Sequence, residues 1–500
     1  MKLPVRFHVF ALAIGCSAGV MTPAIAHAQA PATAQGNVLT LADALTLARR
    51  SNPTLLSSIN NRRTAAANLR AAYGALTPTI NTSLGGGYRE GRQQFFQGVG
   101  FGATNDQLST DASLSASFSL TPGFAKDLAA VKKLRDATEA DISVAEQSIR
   151  INVTNQYIAA LQARARATLQ DSLLLTTAAQ LQLAQARLQV GSGTQLDVQR
   201  AEVADGQQRV ASLNARNQAQ IEIVRLFQQI GIPPVLDTGL DPNLGSIPSL
   251  ELAQILDQAR RSNPSLAATA AREDAAQLQL GSARRAYLPS LSLNANVSGV
   301  TFRIPNTAAA ITQGRNQING QRASCVRSEE VRARLQLNNN LAACENIVFS
   351  PAQEQAIRDQ QGRYPFDFQR NPYGINASLS LPLFNGFRRE QQIEQAAVQH
   401  RNAENEARNQ QLRLEADVTA AWLSLNTAQQ TVVLQEQNVR TARTALSLAQ
   451  ERYRVGASNL VDLVQARGDF ERAETDRITA VYDVQRAFAA LENAVGRPLR

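Results

Sequence analysis

Lysine is nearly missing from this chain: outside Lys2, Lys126, Lys132 and Lys133, every basic residue is arginine. The excess of base, formally +9, is scattered among acids, with no basic block of five or six, so a nucleic-acid surface is not expected. Histidine and cysteine occur three times each. Beyond the N-terminal segment only His400, Cys325 and Cys344 remain, too few for a His/Cys zinc site. A Ser-His-Asp triad would depend on His400, which sits in the polar helical run Gln399-His400-Arg401-Asn402 and reads as a solvated surface residue. Gly191-Ser192-Gly193 follows a helix rather than a strand and lacks the third glycine and the lysine of a phosphate loop. Neither an enzyme nor a cofactor site is therefore expected. Aromatics make up only 5% of residues, so bulky side chains do not build the interior. Ala, Leu, Gln and Arg dominate instead, as in long helices that pack closely side by side.

The N-terminus does supply an apolar run. Lys2 and Arg6 precede it, it extends from about Val9 to Met21, and Ala26-His27-Ala28 offers small residues for cleavage. Residues 1–28 read as a secretory signal peptide. Ala13-Ile14-Gly15-Cys16 leaves open a lipoprotein processed at Cys16. No later stretch approaches the ~18 consecutive apolar residues of a membrane helix, so any span must be made of strands.

The remainder is internally duplicated. Ala48-Arg49-Arg50-Ser51-Asn52-Pro53 recurs as Ala259-Arg260-Arg261-Ser262-Asn263-Pro264, a spacing of 211. Further along, Val190-Gly191 matches Val455-Gly456, Asp197 matches Asp462 and Tyr157 matches Trp422, all at a spacing of 265. The change of spacing marks 54 extra residues, which lie mainly in 301–374. The expected organisation is a first repeat over 29–231, a Pro/Gly-rich linker over 232–249 and a second repeat over 250–500. Each repeat reads as two short helices broken at Asn-Pro, two strands, and two long helices that turn back at glycine.

Two periodicities define the fold class. Ala112, Leu114, Ala116, Phe118 and Leu120 alternate with serines, and Tyr373, Ile375, Ala377, Leu379 and Leu381 alternate with Gly, Asn and Ser. Period two means one apolar and one polar face. Such strands suit either a half-buried soluble sheet or an outer-membrane barrel. Four strands per chain cannot close a membrane barrel, so strands in lipid would have to be shared among chains. In the long helices Leu414, Val418, Ala421, Leu425, Ala428, Val432, Gln435, Val439, Ala442, Leu446, Ala449 and Tyr453 fall at alternating steps of four and three. Leu174, Thr177, Leu181, Ala184 and Leu188 do the same. This 3.5-residue period is a coiled-coil seam. Helices of this length must project as hairpins.

In this order and spacing the sequence resembles the TolC-like outer-membrane factor family over essentially all of the mature chain. The markers are the repeated Ser-Asn-Pro break, Leu381-Pro382-Leu383-Phe384-Asn385-Gly386 before a long helix, and the tips Arg187–Val198 and Arg452–Leu463. The resemblance implies a mixed, mainly α fold. It implies a homotrimer that forms a twelve-stranded outer-membrane β-barrel, with four strands per chain, continuous with a helical coiled-coil barrel. It implies a passive exit duct in contact with outer-membrane lipid, a periplasmic adaptor and an inner-membrane RND, MFS or ABC pump. The cargo it implies is small molecules or, alternatively, proteins in type I secretion. Asp462 matches the family's carboxylate ring at the tunnel entrance, and Gln465 stands where a second acid is common. Tyr453 and Asp197 match positions that tie neighbouring hairpins. Val190, Gly191, Val455 and Gly456 match the tips that meet the adaptor. Helix capping at the glycines, and N-terminal capping by Asp197 and Asp462, remain open as structural roles for the same residues. In an exported protein Cys325 and Cys344 should form a disulfide, here pinning an extended extracellular loop over 301–374.

Overall fold

The computed structural model describes residues 38–92, 94–96, 99–101 and 105–499; the expected signal peptide over 1–28, with its alternative at Cys16, lies outside them. The chain enters through α1 (Leu41–Ser51), which Thr40 and Asp43 start with a capping box. Asn52 ends α1 and begins α2 (Pro53–Gly74), its side-chain oxygen accepting from the amides of Thr54 and Leu55 at 2.9 and 3.1 Å. Strands β1 (Thr79–Arg89) and β4 (Gln107–Leu120) follow, with the small ribbon β2 (Gln94–Phe96) and β3 (Val99–Phe101) between them. The first long hairpin is α3 (Phe124–Gln189) and α4 (Gln195–Ile230).

The second half runs through α5 (Leu252–Ser262), α6 (Pro264–Arg284), β5 (Ser290–Arg303), α7 (Thr307–Arg334), α8 (Leu341–Glu345), α9 (Pro351–Gly362), β6 (Gln369–Arg370) and β7 (Gly374–Ser380). It closes with the hairpin α10 (Arg388–Arg454) and α11 (Leu460–Val495). Sixty-six residues make α3 about 100 Å long.

The same joint is built in both halves. Asn52 donates its side-chain amide to the Gln229 carbonyl at 2.7 Å, and Asn263 donates to Ala494 at 2.9 Å. The Asn of each Ser-Asn-Pro break thus caps one helix and holds the last turn of the returning one. Gly231 and Gly496 end those returning helices at φ +89° and +98°. Tyr157 and Trp422, equivalent by spacing, each pin the segment that leads into their half. The Tyr157 hydroxyl donates to the Leu39 and Asp241 carbonyls, and the Trp422 indole donates to Leu250. Burial pushes the Tyr157 phenol upward, so it remains a donor.

The helices form a wall one helix thick. Near the sheet α3 lies between α2 and α6, through Arg62–Glu139 and Lys133–Asp274 ion pairs at 2.7 Å. Farther down it lies between α4 and α11, through Arg216–Asp171 at 3.0 Å and a Gln170–Glu471 hydrogen bond at 3.0 Å. Every seam position read from the 3.5-residue period is buried or half-buried. The two flanks, α4 and α10, nevertheless expose further large apolar side chains: Val203, Val210 and Leu213 on α4, and Leu412, Leu423, Val433 and Leu448 on α10.

The main sheet is antiparallel in the order β1-β4-β5-β7, with β6 continuing the β7 edge at the far end. Its register places Ile80, Ala116, Ala295 and Ile375 in one row, and Leu114 opposite Val297. This apolar face is open: Ile80, Leu84, Ile375 and Leu379 are all exposed, at 67–75%. The opposite face carries a hydroxyl ladder, with Thr79–Ser117, Ser83–Ser113 and Ser292–Ser378 bonded at 2.6–2.7 Å. Strands β1 and β7 are edges. β7 ends at Ser380, just short of Leu381, the last position of its alternation, because Pro382 cannot donate to a ladder. At that junction Arg389 is buried, donating to the Pro382 and Leu383 carbonyls and stacking 4.4 Å over Tyr287, which leaves Leu383, Phe384 and Phe387 exposed.

The inserted segment 301–374 differs from the extended loop expected of it. β5 continues to Arg303, and the rest folds mainly into α7, α8 and α9. The physical reason is local: no proline interrupts 306–350, Asn306 caps α7, and Ser350 with Gln353 forms a capping box ahead of Pro351. A Cys325–Cys344 disulfide, Cα atoms 5.5 Å apart, joins α7 to α8. Tyr364 meets Thr110 at 3.1 Å and Phe368 covers Gly299. Thr110 and Gly299 belong to the apolar face of the sheet by register, so Tyr364 and Phe368 at the base of this subdomain lie on that face.

Candidate functional site: the hairpin tips

Both tips are built the same way. Gly191 and Gly456 hold φ +76° and +77°, a conformation that glycine adopts without steric cost. The amides of Ser192 and Gly193 return to the Arg187 carbonyl at 2.9 and 3.0 Å, and Ala457 returns to Arg452 at 2.8 Å. The helix ends are thereby satisfied and the chain reverses within a few residues. Val190 and Val455 stand at the crest, 77% and 67% exposed.

The carboxylates after the turns differ. Asp197 completes a capping box with Thr194, accepting from its amide at 3.2 Å and its hydroxyl at 2.7 Å. Asp462 follows Asn459, which alone caps α11 by accepting from the Asp462 amide at 2.9 Å. Among the described residues no hydrogen bond or ion pair engages the Asp462 carboxylate, and the residue is exposed. Gln465 donates to Asp469 at 3.2 Å along its own helix.

Tyr453 and Asp197 are not bonded to one another among the described residues. Tyr453 is instead 4% exposed, within an apolar cluster to which all four long helices contribute: Ala184 from α3, Val198 from α4, Leu446 from α10 and Leu463 from α11. The Arg187 guanidinium lies 4.9 Å from the Tyr453 ring centroid and donates to the Tyr453 carbonyl at 2.9 Å. Sequence reasoning passed over Arg187. The available signal was the 265-residue spacing, which pairs Arg187 with Arg452 but sets Leu188 against Tyr453.

The comparisons agree on one family. The pattern described as "Outer membrane efflux protein" matches residues 44–232 and 356–497, leaving out most of the inserted subdomain. The outer membrane efflux protein BepC of Brucella suis is 25% identical over 463 residues, spanning 92% of this chain and 85% of that protein. The pyoverdine export outer membrane protein OpmQ of Pseudomonas putida is 25% identical over 471 residues, with 90% and 84% covered. Among solved structures, CusC superimposes with a TM-score of 0.69 at 16% identity, covering 92% of each chain. The Vibrio cholerae outer membrane protein VceC gives 0.66 at 16% identity, covering 92% of this chain and 97% of that one. The mainly helical fold with its small antiparallel sheet is that of these channels, and the chain belongs to the outer membrane efflux protein family of outer-membrane exit ducts.

Proposed function

We propose that three copies of this chain close a twelve-stranded barrel with a helical tunnel beneath it. Substrates handed over by a periplasmic adaptor and an inner-membrane pump of the RND, MFS or ABC class then leave through it passively. The observation that carries this reading is the pair of open flanks. The β1 and β7 edges present unpaired backbone groups, which a lipid environment does not tolerate. The α4 and α10 flanks expose apolar residues at helical spacing, ready for a second seam. Two copies would give about eight strands, a barrel filled by its own side chains. Three leave a lumen, lined by the hydroxyl face, with the apolar face toward lipid. Phe384, Phe387 and Tyr287 then fall at the periplasmic edge of the bilayer, where aromatic girdles sit. The inserted subdomain hangs at the opposite, extracellular end. OpmQ is named for pyoverdine export, which supports efflux over type I protein secretion.

In this assembly Asp462 occurs three times around one axis, facing the narrow end, while Val190, Gly191, Val455 and Gly456 present the surface that the adaptor meets. Three like charges around a narrow opening raise cation occupancy and repel anions. Reconstituted in planar bilayers, the protein should conduct with a preference for cations and be blocked by multivalent cations added from the tip side. Asp462→Asn should weaken both effects by about threefold or more and leave assembly intact. Selectivity and block that do not change in this variant would leave Asp462 with no role at the entrance.

A further inference from the structure

We propose that Arg187 is the latch that holds the two hairpins of each chain together at the tip, acting through the face and the backbone of Tyr453 rather than through its hydroxyl. The inference rests on the duct reading above and adds a gating residue to it. Four observations converge on one guanidinium. It covers the Tyr453 ring at 4.9 Å, donates through Nη1 to the Tyr453 carbonyl at 2.9 Å, and reaches the Ser192 carbonyl of its own turn through Nη2 at 3.4 Å. A Cβ placed on Gly456 would lie 3.4 Å from Nη2, so the second turn fits closely around the same group. Arg187 therefore links the last turn of α3, the tip of its own hairpin and the last turn of α10.

The chemistry of the link sets its behaviour. Tyr453 is almost fully buried, and a cation over a desolvated ring is held more strongly than one over an exposed ring. Among the described residues no carboxylate pairs with Arg187, and both of its acceptors are neutral carbonyls. Asp197 is committed to its capping box, which takes it out of competition for the Tyr453 hydroxyl. The latch is also single. At the repeat-equivalent position Arg452 would face Leu188, which has no ring to cover. Among the described residues the Arg187–Tyr453 bond is the one polar contact between the two turns, set over the apolar cluster that all four long helices build, and the tip parts when it is lost.

The test compares Arg187→Gln, Arg187→Lys, Tyr453→Leu and Tyr453→Phe in the full-length assembly, measured as open fraction in planar bilayers. The distance between spin labels at Val190→Cys and Val455→Cys is followed in parallel. Arg187→Gln and Tyr453→Leu should each raise the open fraction about tenfold and lengthen the label distance, and the double variant should add little. Arg187→Lys, which loses the planar stacking fork, should fall between. Tyr453→Phe keeps ring and carbonyl and should stay as closed as wild type. Wild-type behaviour of Arg187→Gln in both readouts would overturn the latch, as would a Tyr453→Phe variant as open as Tyr453→Leu. Absence of conductance in the wild type and in every variant would instead overturn the duct reading. The label distance still judges the latch in that case.

Discussion

Leu293→Arg should abolish recovery of the assembled protein from the outer membrane, whereas Asn294→Arg, one residue along the same strand, should leave recovery near normal. The two side chains point to opposite faces of β5. Leu293 pairs with Phe118 and Ala377 on the apolar face, and Asn294 pairs with Ser117 and Asn376 on the hydroxyl face. An arginine on the lipid face near the bilayer midplane costs roughly 2–4 kcal/mol per copy. Three copies bring the penalty to roughly 6–12 kcal/mol, comparable to the whole stability of a typical folded protein. An arginine in the lumen stays hydrated and alters selectivity instead. The amount of heat-resistant oligomer in outer-membrane fractions measures the contrast. Equal recovery of both variants would mean that the sheet does not face lipid.

Gly231→Val should lower the melting temperature of the extracted protein severely, and Gly496→Val should do the same at the second joint. Both glycines hold positive φ, where a β-branched residue is strained by about 1–3 kcal/mol. The space is also occupied. A Cβ at Gly231 would lie 2.7 Å from the Ser51 carbonyl oxygen and 2.9 Å from Asn52 Cα, and one at Gly496 would lie 2.9 Å from Asn263 Cα. Relieving the clash moves the Asn that caps the next helix, which puts a further ~1 kcal/mol or more at risk. The total is about 3 kcal/mol or more per site, in the range reserved for severe substitutions. Gly468 is the control: it lies inside α11 with nothing within 4 Å of a built Cβ, so Gly468→Ala should be neutral or stabilising by up to about 1 kcal/mol. Melting followed by circular dichroism separates the three. Gly231→Val melting with wild type would show that the joint tolerates displacement.

How much of this was legible in the sequence depended on whether the signal was local. The ends of α3, α4, α10 and α11 fall where Gly191, Gly231, Gly456 and Gly496 place them, because a positive-φ glycine stops a helix whatever surrounds it. The seam from Leu414 to Tyr453 was readable because a period needs only one helix. The inserted helices were not readable. α7 carries Asn, Gln and Arg with only Ala310 and Ile311 buried, so it has no apolar stripe to announce it. The Arg187–Tyr453 contact joins residues 266 apart, and no periodicity encodes it. Asp197 and Asp462 look identical by position. Their difference depends on whether the preceding capping residue is Thr194 or Asn459, and on a carboxylate that turns back in one case only.

Native mass spectrometry of the detergent-extracted protein tests the shared barrel most directly. An open sheet and an open helical wall in one chain, each with two unsatisfied flanks, predict a single species at three times the mass of the processed chain. A stable monomer, or a dimer, as the main species would contradict the account.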